Sequence, residues 1–185
     1  MVDSLIGKVL VAGPSLQDPN FQRTVIVICE HNDEGALGIV YNRPSPITVS
    51  EALPPLANSM LAGSRLFMGG PVQTEQIFVI HDDEEAGGDE ISPGLFYGGE
   101  PQLLDHLIER LRAGDNIGMR LFAGYSGWGA GQLEFEMSHG AWIVAPSDKG
   151  QILGSEGQNK WRQALLDLGG RYAILADAPI DPGLN

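Results

Sequence analysis

The sequence predicts an α+β domain with most of its strands in the first half. Three observations lead there. Apolar and β-branched runs at 8–12, 23–29, 36–41, 65–68 and 76–80 are separated by turn residues. Clear helical stripes occupy only 101–113 and 156–168. Strands and helices mix without a steady β-α-β alternation, which argues against a doubly wound sheet. A length of 185 residues suits one domain over 1–185.

Lys8–Ala12 reads as a short strand broken by Gly13-Pro14. Arg23–Cys29 has the β-branched content of a central strand, and Gly35 marks the turn into Ala36–Tyr41, so the two form a hairpin. Asn42-Arg43-Pro44 ends the second strand, because proline cannot donate to a ladder and restricts its predecessor. Thr48–Leu53 begins a short helix stopped by Pro54-Pro55, and Arg65–Met68 and Gln76–Ile80 are strands separated by Gly69-Gly70-Pro71-Val72. The acidic stretch 82–90 lacks a large apolar anchor and is expected to be a solvated, mobile loop. Leu95–Tyr97 is a short strand.

Pro101 opens a helix in which Leu103, Leu104, Leu107, Ile108 and Leu111 form one stripe, and Gly114 suits the C′ position. Ile117–Tyr125 is a strand entering the glycine-rich segment 124–131. Gln132–Ser138 fits either period: Leu133, Phe135 and Met137 alternate, while Leu133 and Met137 are one helical step apart. A short helix is preferred. Ala141–Ala145 is a strand closed by Pro146, and Glu156–Leu168 is a helix with Trp161, Ala164, Leu165 and Leu168 on one face. The tail from Arg171 holds one short apolar run before Pro179 and Pro182.

Eleven basic against 24 acidic residues give a formal charge of −13. Phosphate neutralisation by Lys and Arg drives nucleic-acid affinity, so direct nucleic-acid binding is disfavoured. The grouping of Arg110, Arg112 and Arg120 is better read as a solvated helix face and nearby turn than as a phosphate patch. No secretory signal is visible and no apolar run is long enough to cross a bilayer, so a bacterial-type cytosol is the expected location, away from membranes. Cys29, the single cysteine, sits in an apolar strand and reads as a small buried hydrophobe.

The glycine-rich segment matches neither phosphate-binding template, since no Gly-Lys-Ser/Thr follows and Gln132 stands where the dinucleotide fingerprint needs glycine. Four glycines in eight positions instead call for tight packing, or for close backbone approach to a ligand; amides of a helix after Gly131 suit an anion. Ser126 lacks the nucleophile-elbow pattern, because position 128 is Trp, and no orienting third group joins it to His139. His31 and His81 each end a strand beside carboxylates, which are suitable ligand types for a divalent ion, but without close ligand spacing. Arg23 and Arg43 flank paired strands and can hold a carboxylate in fork geometry or fix the local turn by an internal ion pair.

Several segments together resemble one family. They are Asp18-Pro19-Asn20-Phe21 with Arg23-Thr24-Val25; His31 with Gly35-Ala36-Leu37-Gly38 and Asn42-Arg43-Pro44; Gly69-Gly70-Pro71-Val72 with His81; and Gly124-Tyr125-Ser126-Gly127-Trp128 running to Glu134. Their order and spacing, with Trp142 and Trp161, are similar to the YqgE/AlgH family of small bacterial proteins along nearly the whole chain. The resemblance implies a compact α+β fold with a mixed, partly barrel-like sheet flanked by helices. It supplies the label of transcriptional regulator without a mechanism and carries over no catalytic residue.

The expectation is therefore a non-enzymatic binding or regulatory module, acting indirectly through a protein partner or small ligand, with no cofactor. Its candidate surface combines Asn42, Arg43, Gly69, Gly70, Gly124, Ser126, Trp128 and Gly131. The alternative is an enzyme of unknown reaction using His31 or His81 with nearby carboxylates, with or without a metal, which requires those groups to converge.

Overall fold

Strand alternation in the apolar runs resolves into ten strands of one sheet and six helices in the computed structural model, which describes residues 4–154 and 159–177. The strands are β1 (Val9–Ala12), β2 (Val25–Asn32), β3 (Gly35–Val40), β4 (Pro44–Thr48), β5 (Arg65–Met68), β6 (Val72–His81), β7 (Asp89–Ser92), β8 (Leu95–Gly98), β9 (Met119–Gly129) and β10 (Trp142–Ala145). The helices are α1 (Val49–Ala52), α2 (Pro101–Ala113), α3 (Gln132–Ser138), α4 (Lys149–Leu153), α5 (Lys160–Leu168) and α6 (Gly170–Leu175).

The main path runs β10-β1-β2-β3-β9-β6-β8-β7, with β5 beside β9 and β4 beside β5. Every pairing is antiparallel except β5 with β9, so the sheet is mixed. It is not closed, since β10 and β7 remain as edges. It does curl: the Tyr97 hydroxyl on β8 reaches Glu30 on β2 at 3.4 Å, although β3, β9 and β6 lie between those strands. The α+β, partly barrel-like expectation holds in that sense.

Period-two alternation divides the apolar residues between two cores. Phe122 on β9, with Phe78, Ile80 and Phe67, joins the large cluster around β1–β3 and α5. Met119, Leu121 and Ala123, with Val79 and Leu66, face Leu103, Leu107 and Ile108 of α2. The α2 ends follow their predicted chemistry, with Pro101 in the first turn and Gly114 in the left-handed conformation at φ 97°. Thr48-Val49-Ser50-Glu51 forms a full capping box on α1. Cys29 is buried, and that burial pushes its thiol well above the ordinary range.

The structure corrects several boundaries. The strand entering the glycine-rich segment continues through it to Gly129 and is not a turn there. A strand, β4, follows Asn42-Arg43 directly, held by pairing of Pro44 with Phe67 and Thr48 with Arg65. The acidic loop is tied down: the Asp82 carboxylate accepts from the Gly118 amide at 2.8 Å, Arg110 pairs with Asp83 and Glu85, and the stretch ends in β7. Arg120 is buried, not solvated, with its guanidinium 4.4 Å from the centre of the Phe67 ring. Helices α4 and α6 were not expected as helices. The predicted helix start at 156–158 and the prolines 179 and 182 lie outside the described residues. Among the described residues, no helix is long and apolar enough to cross a membrane.

Candidate binding site

Asn42 and Arg43 leave β3 and turn back on the loop before β2. The Asn42 amide oxygen accepts from the Val25 amide at 2.9 Å, and its nitrogen donates to the Arg23 carbonyl at 2.9 Å. Arg43 spreads its fork over two carbonyls, Pro19 at 2.8 Å and Gln22 at 2.9 Å. Partial burial lowers the Arg43 pKa, and neighbouring Asp18 opposes that shift. Asp18 itself accepts from the Asn20 amide at 2.7 Å, an Asx turn that starts the loop. These two residues thus hold the 18–24 loop, and the loop in turn places Phe21.

Gly69, Gly70, Gly124 and Ser126 meet where β9 passes from β5 to β3. The Gly69 amide donates to the Ala123 carbonyl at 2.9 Å, while its carbonyl accepts from the Val40 amide at 2.8 Å and from the Ser126 hydroxyl at 3.3 Å. A Cβ on Gly69 would lie 2.3 Å from the Gly124 oxygen, and one on Gly70 2.2 Å from the Tyr125 carbonyl carbon. The two glycine motifs converge because three strands share this point, and backbone fills the space a side chain would need.

Trp128 packs edge-on to Trp142 with centroids 5.8 Å apart, and Phe21 sits 6.4 Å and 5.7 Å from the two indoles. Both indole N–H groups donate to one oxygen of Glu136, at 3.0 Å from Trp128 and 2.7 Å from Trp142. Gly131, at φ 70°, caps the start of α3 and brings Gln132 back to accept from the Gly129 amide at 3.1 Å. The same helix carries Glu134 to His31. The Nδ1 of His31 accepts from the Leu5 amide at 3.1 Å, which assigns the proton to Nε2, donated to Glu134 at 2.8 Å. That bond holds the Glu134 carboxyl below the usual range.

Beside this cluster lies an open groove of about 340 Å³ between the β2–β3 hairpin and β9. Tyr125, Gly127 and Trp128 form one wall, and Glu30, Asn32 and Glu34 the other. Aromatic surface, exposed backbone and carboxylates make it suited to a group carrying hydrogen-bond donors or positive charge. Sequence reasoning selected Trp128 but missed Tyr125, Glu30 and Glu34. The signal available was the β2–β3 hairpin, whose tip carries Asn32-Asp33-Glu34 toward the glycine-rich strand.

Of the two histidines weighed for an enzyme, His31 meets the Glu134 carboxylate, whereas His81 bonds to backbone. Ser126 is buried on Gly69, while His139 Nδ1 lies 2.8 Å from the Phe135 carbonyl and 3.0 Å from Ser138. His81 is fully buried, accepts from the Asp83 amide at 3.3 Å and stacks on Phe96, and burial lowers its pKa. Among the described residues, no three His, Cys, Asp or Glu side chains converge as a metal site.

Comparison with known proteins places this architecture. A family model described as AlgH-like matches residues 9–173. The chain is 39% identical over 183 residues to a UPF0301 protein of Chlorobaculum tepidum, covering 97% of this chain and 95% of the relative. It is 37% identical to a UPF0301 protein of Streptomyces avermitilis, covering 100% and 97%. The solution structure of the AlgH protein from Pseudomonas aeruginosa superposes with a TM-score of 0.70 at 31% identity, covering 97% and 96%. A crystal structure of a protein from Corynebacterium diphtheriae gives 0.80 at 24% identity, covering 95% and 93%, a likeness of fold.

Proposed function

Since the chain belongs to the AlgH-like family, we propose that it is a non-enzymatic binding module, regulating indirectly through a partner that docks in the Tyr125–Trp128 groove. The observation carrying this reading is the groove itself, where exposed Gly127 lies beside the half-buried Tyr125 ring and faces Glu30 and Glu34. Asn42, Arg43, Gly69, Gly70, Gly124, Ser126 and Gly131 serve it by fixing the strands and loops around it. The partner is a protein segment bearing Lys or Arg, or a small cationic ligand, and the site of action is the cytosol. Direct duplex binding is disfavoured by the charge of −13 and by the pairing of Arg110 with Asp83, Glu85 and Asp115. The family's regulator label is compatible with action through such a partner.

Gly127→Arg tests the reading. A Cβ there meets only the edge of the Tyr125 ring, at 3.2 Å, so the fold tolerates a side chain that fills and neutralises the groove. Native mass spectrometry of gently purified wild type is expected to show an added species that this variant loses while keeping its circular dichroism. A species retained by Gly127→Arg, or wild type at its bare mass, overturns the assignment.

A further inference from the structure

Tyr41, just after β3, is 1% exposed, yet its hydroxyl has no hydrogen-bond partner among the described residues. Its backbone is satisfied, with the amide donating to the Val25 carbonyl at 3.0 Å and the carbonyl accepting from Arg120 at 3.4 Å. The ring is buried while the hydroxyl is left open to a polar group wherever it meets a cavity. Tyr41 lines a cavity of about 230 Å³ between β1, the β10–α4 connection and α5, at the opposite end of β3 from the groove above.

The cavity has two kinds of wall. Val9, Ala145, Pro146, Ala164 and Leu168 are apolar. Asp148 and Asp167 supply carboxylates. One oxygen of Asp148 caps α4 by accepting from the Gln151 amide at 2.7 Å, while Asp167 accepts from Gln151 at 3.1 Å and Gln163 at 2.7 Å. All of these donors are neutral, and both carboxylates stand exposed at the cavity mouth, free of any cationic partner there among the described residues. Burial, and secondarily Asp148, push the Tyr41 phenol above its ordinary range, which keeps it a neutral donor and acceptor. The nearby Lys160 ammonium, 5.7 Å from the Tyr41 ring centre, is engaged by the Gln151 carbonyl and does not line the cavity.

An apolar cavity of about 150 Å³ accepts benzene. One of 230 Å³ has room for a ring-sized body with a short polar arm. We propose that this cavity binds a small organic amine, its ammonium held by Asp148 and Asp167, its apolar body against Val9, Pro146 and Leu168, and a polar group on the Tyr41 hydroxyl. This goes beyond the groove reading and stands independently of it.

The test is a titration followed by two-dimensional amide NMR with three probes: tyramine, phenethylamine, which lacks the hydroxyl, and 4-ethylphenol, which lacks the ammonium. Tyramine is expected to shift amides of Val9, Ala145 and Ala164 and to bind about tenfold tighter than 4-ethylphenol. Asp148→Asn keeps a competent helix cap and is expected to erase most of that preference. Tyr41→Phe is expected to remove the tyramine–phenethylamine difference while leaving the unliganded protein as stable as wild type. Absence of shifts at millimolar tyramine, equal binding of 4-ethylphenol, an unchanged preference in Asp148→Asn, or shifts confined to Tyr125–Trp128 each overturn the proposal.

Discussion

At the scale of single residues, Gly69 and Gly131 lack side chains for different reasons. Gly69 has no room, with a Cβ falling 2.3 Å from a neighbouring backbone oxygen, whereas Gly131 has open space but a φ of 70°. Gly69→Ala is therefore expected to cost ~3 kcal/mol, and Gly131→Ala only ~1 kcal/mol, in urea unfolding. Composition revealed that glycine mattered at both places. Crowding by a distant strand was not legible at Gly69, because the crowding atoms are more than fifty residues away in sequence. Glu136 escaped notice for the same reason: nothing local marks it as acceptor for two indoles. Glu136→Ala strands both buried N–H groups and is expected to lose about 2–4 kcal/mol, whereas Glu136→Gln keeps an acceptor and loses less, with near-ultraviolet circular dichroism reporting the indoles.

At the scale of elements, legibility followed how much of each element's stability is local. β2 and α2 announce themselves through a β-branched run and a capped apolar stripe. β4, with the sequence Pro-Ser-Pro-Ile-Thr, is held by its pairing with β5, which no local pattern encodes. The C-terminal half of β9 was hidden because Gly124, Gly127 and Gly129 read as turn residues, while the fold uses small residues in a strand so other backbones can approach. α3 is fastened through side chains, and its Glu134–His31 bond gives it a pH dependence. The Glu134 carboxyl titrates below its ordinary value of 4.5 in the folded state, so its contribution is present above that pH and is lost as pH falls through the lower folded value. Glu134→Gln is expected to flatten the acid limb of the unfolding profile in that window, and an unchanged limb would detach α3 from His31.

At the scale of the whole molecule, buried bases and phenols oppose one another in alkali. Burial, aided by Arg120, lowers Lys160 from 10.5 to about 8, so between those values the unfolded chain binds more protons and stability rises with pH. Tyr41 and Tyr97 have phenols pushed above 10, so the unfolded chain loses those protons first and stability falls beyond pH 10. Thermal unfolding across this range is expected to show a shallow maximum near pH 9–10, with the rise absent in Lys160→Met. The large-scale arrangement also dictates timing. β1 pairs with β10, so residues 9–12 wait for residues 142–145, and β9 alone joins β3, β5 and β6. Such distant pairings make for slow folding. During synthesis, the emerging first two-thirds carries the β2–β3 hairpin and α1 but no strand to unite its pieces, leaving edges open to other chains. This protein therefore completes its sheet only once residues 142–145 have emerged, and a nascent chain stalled before β9 is the state most in need of a chaperone.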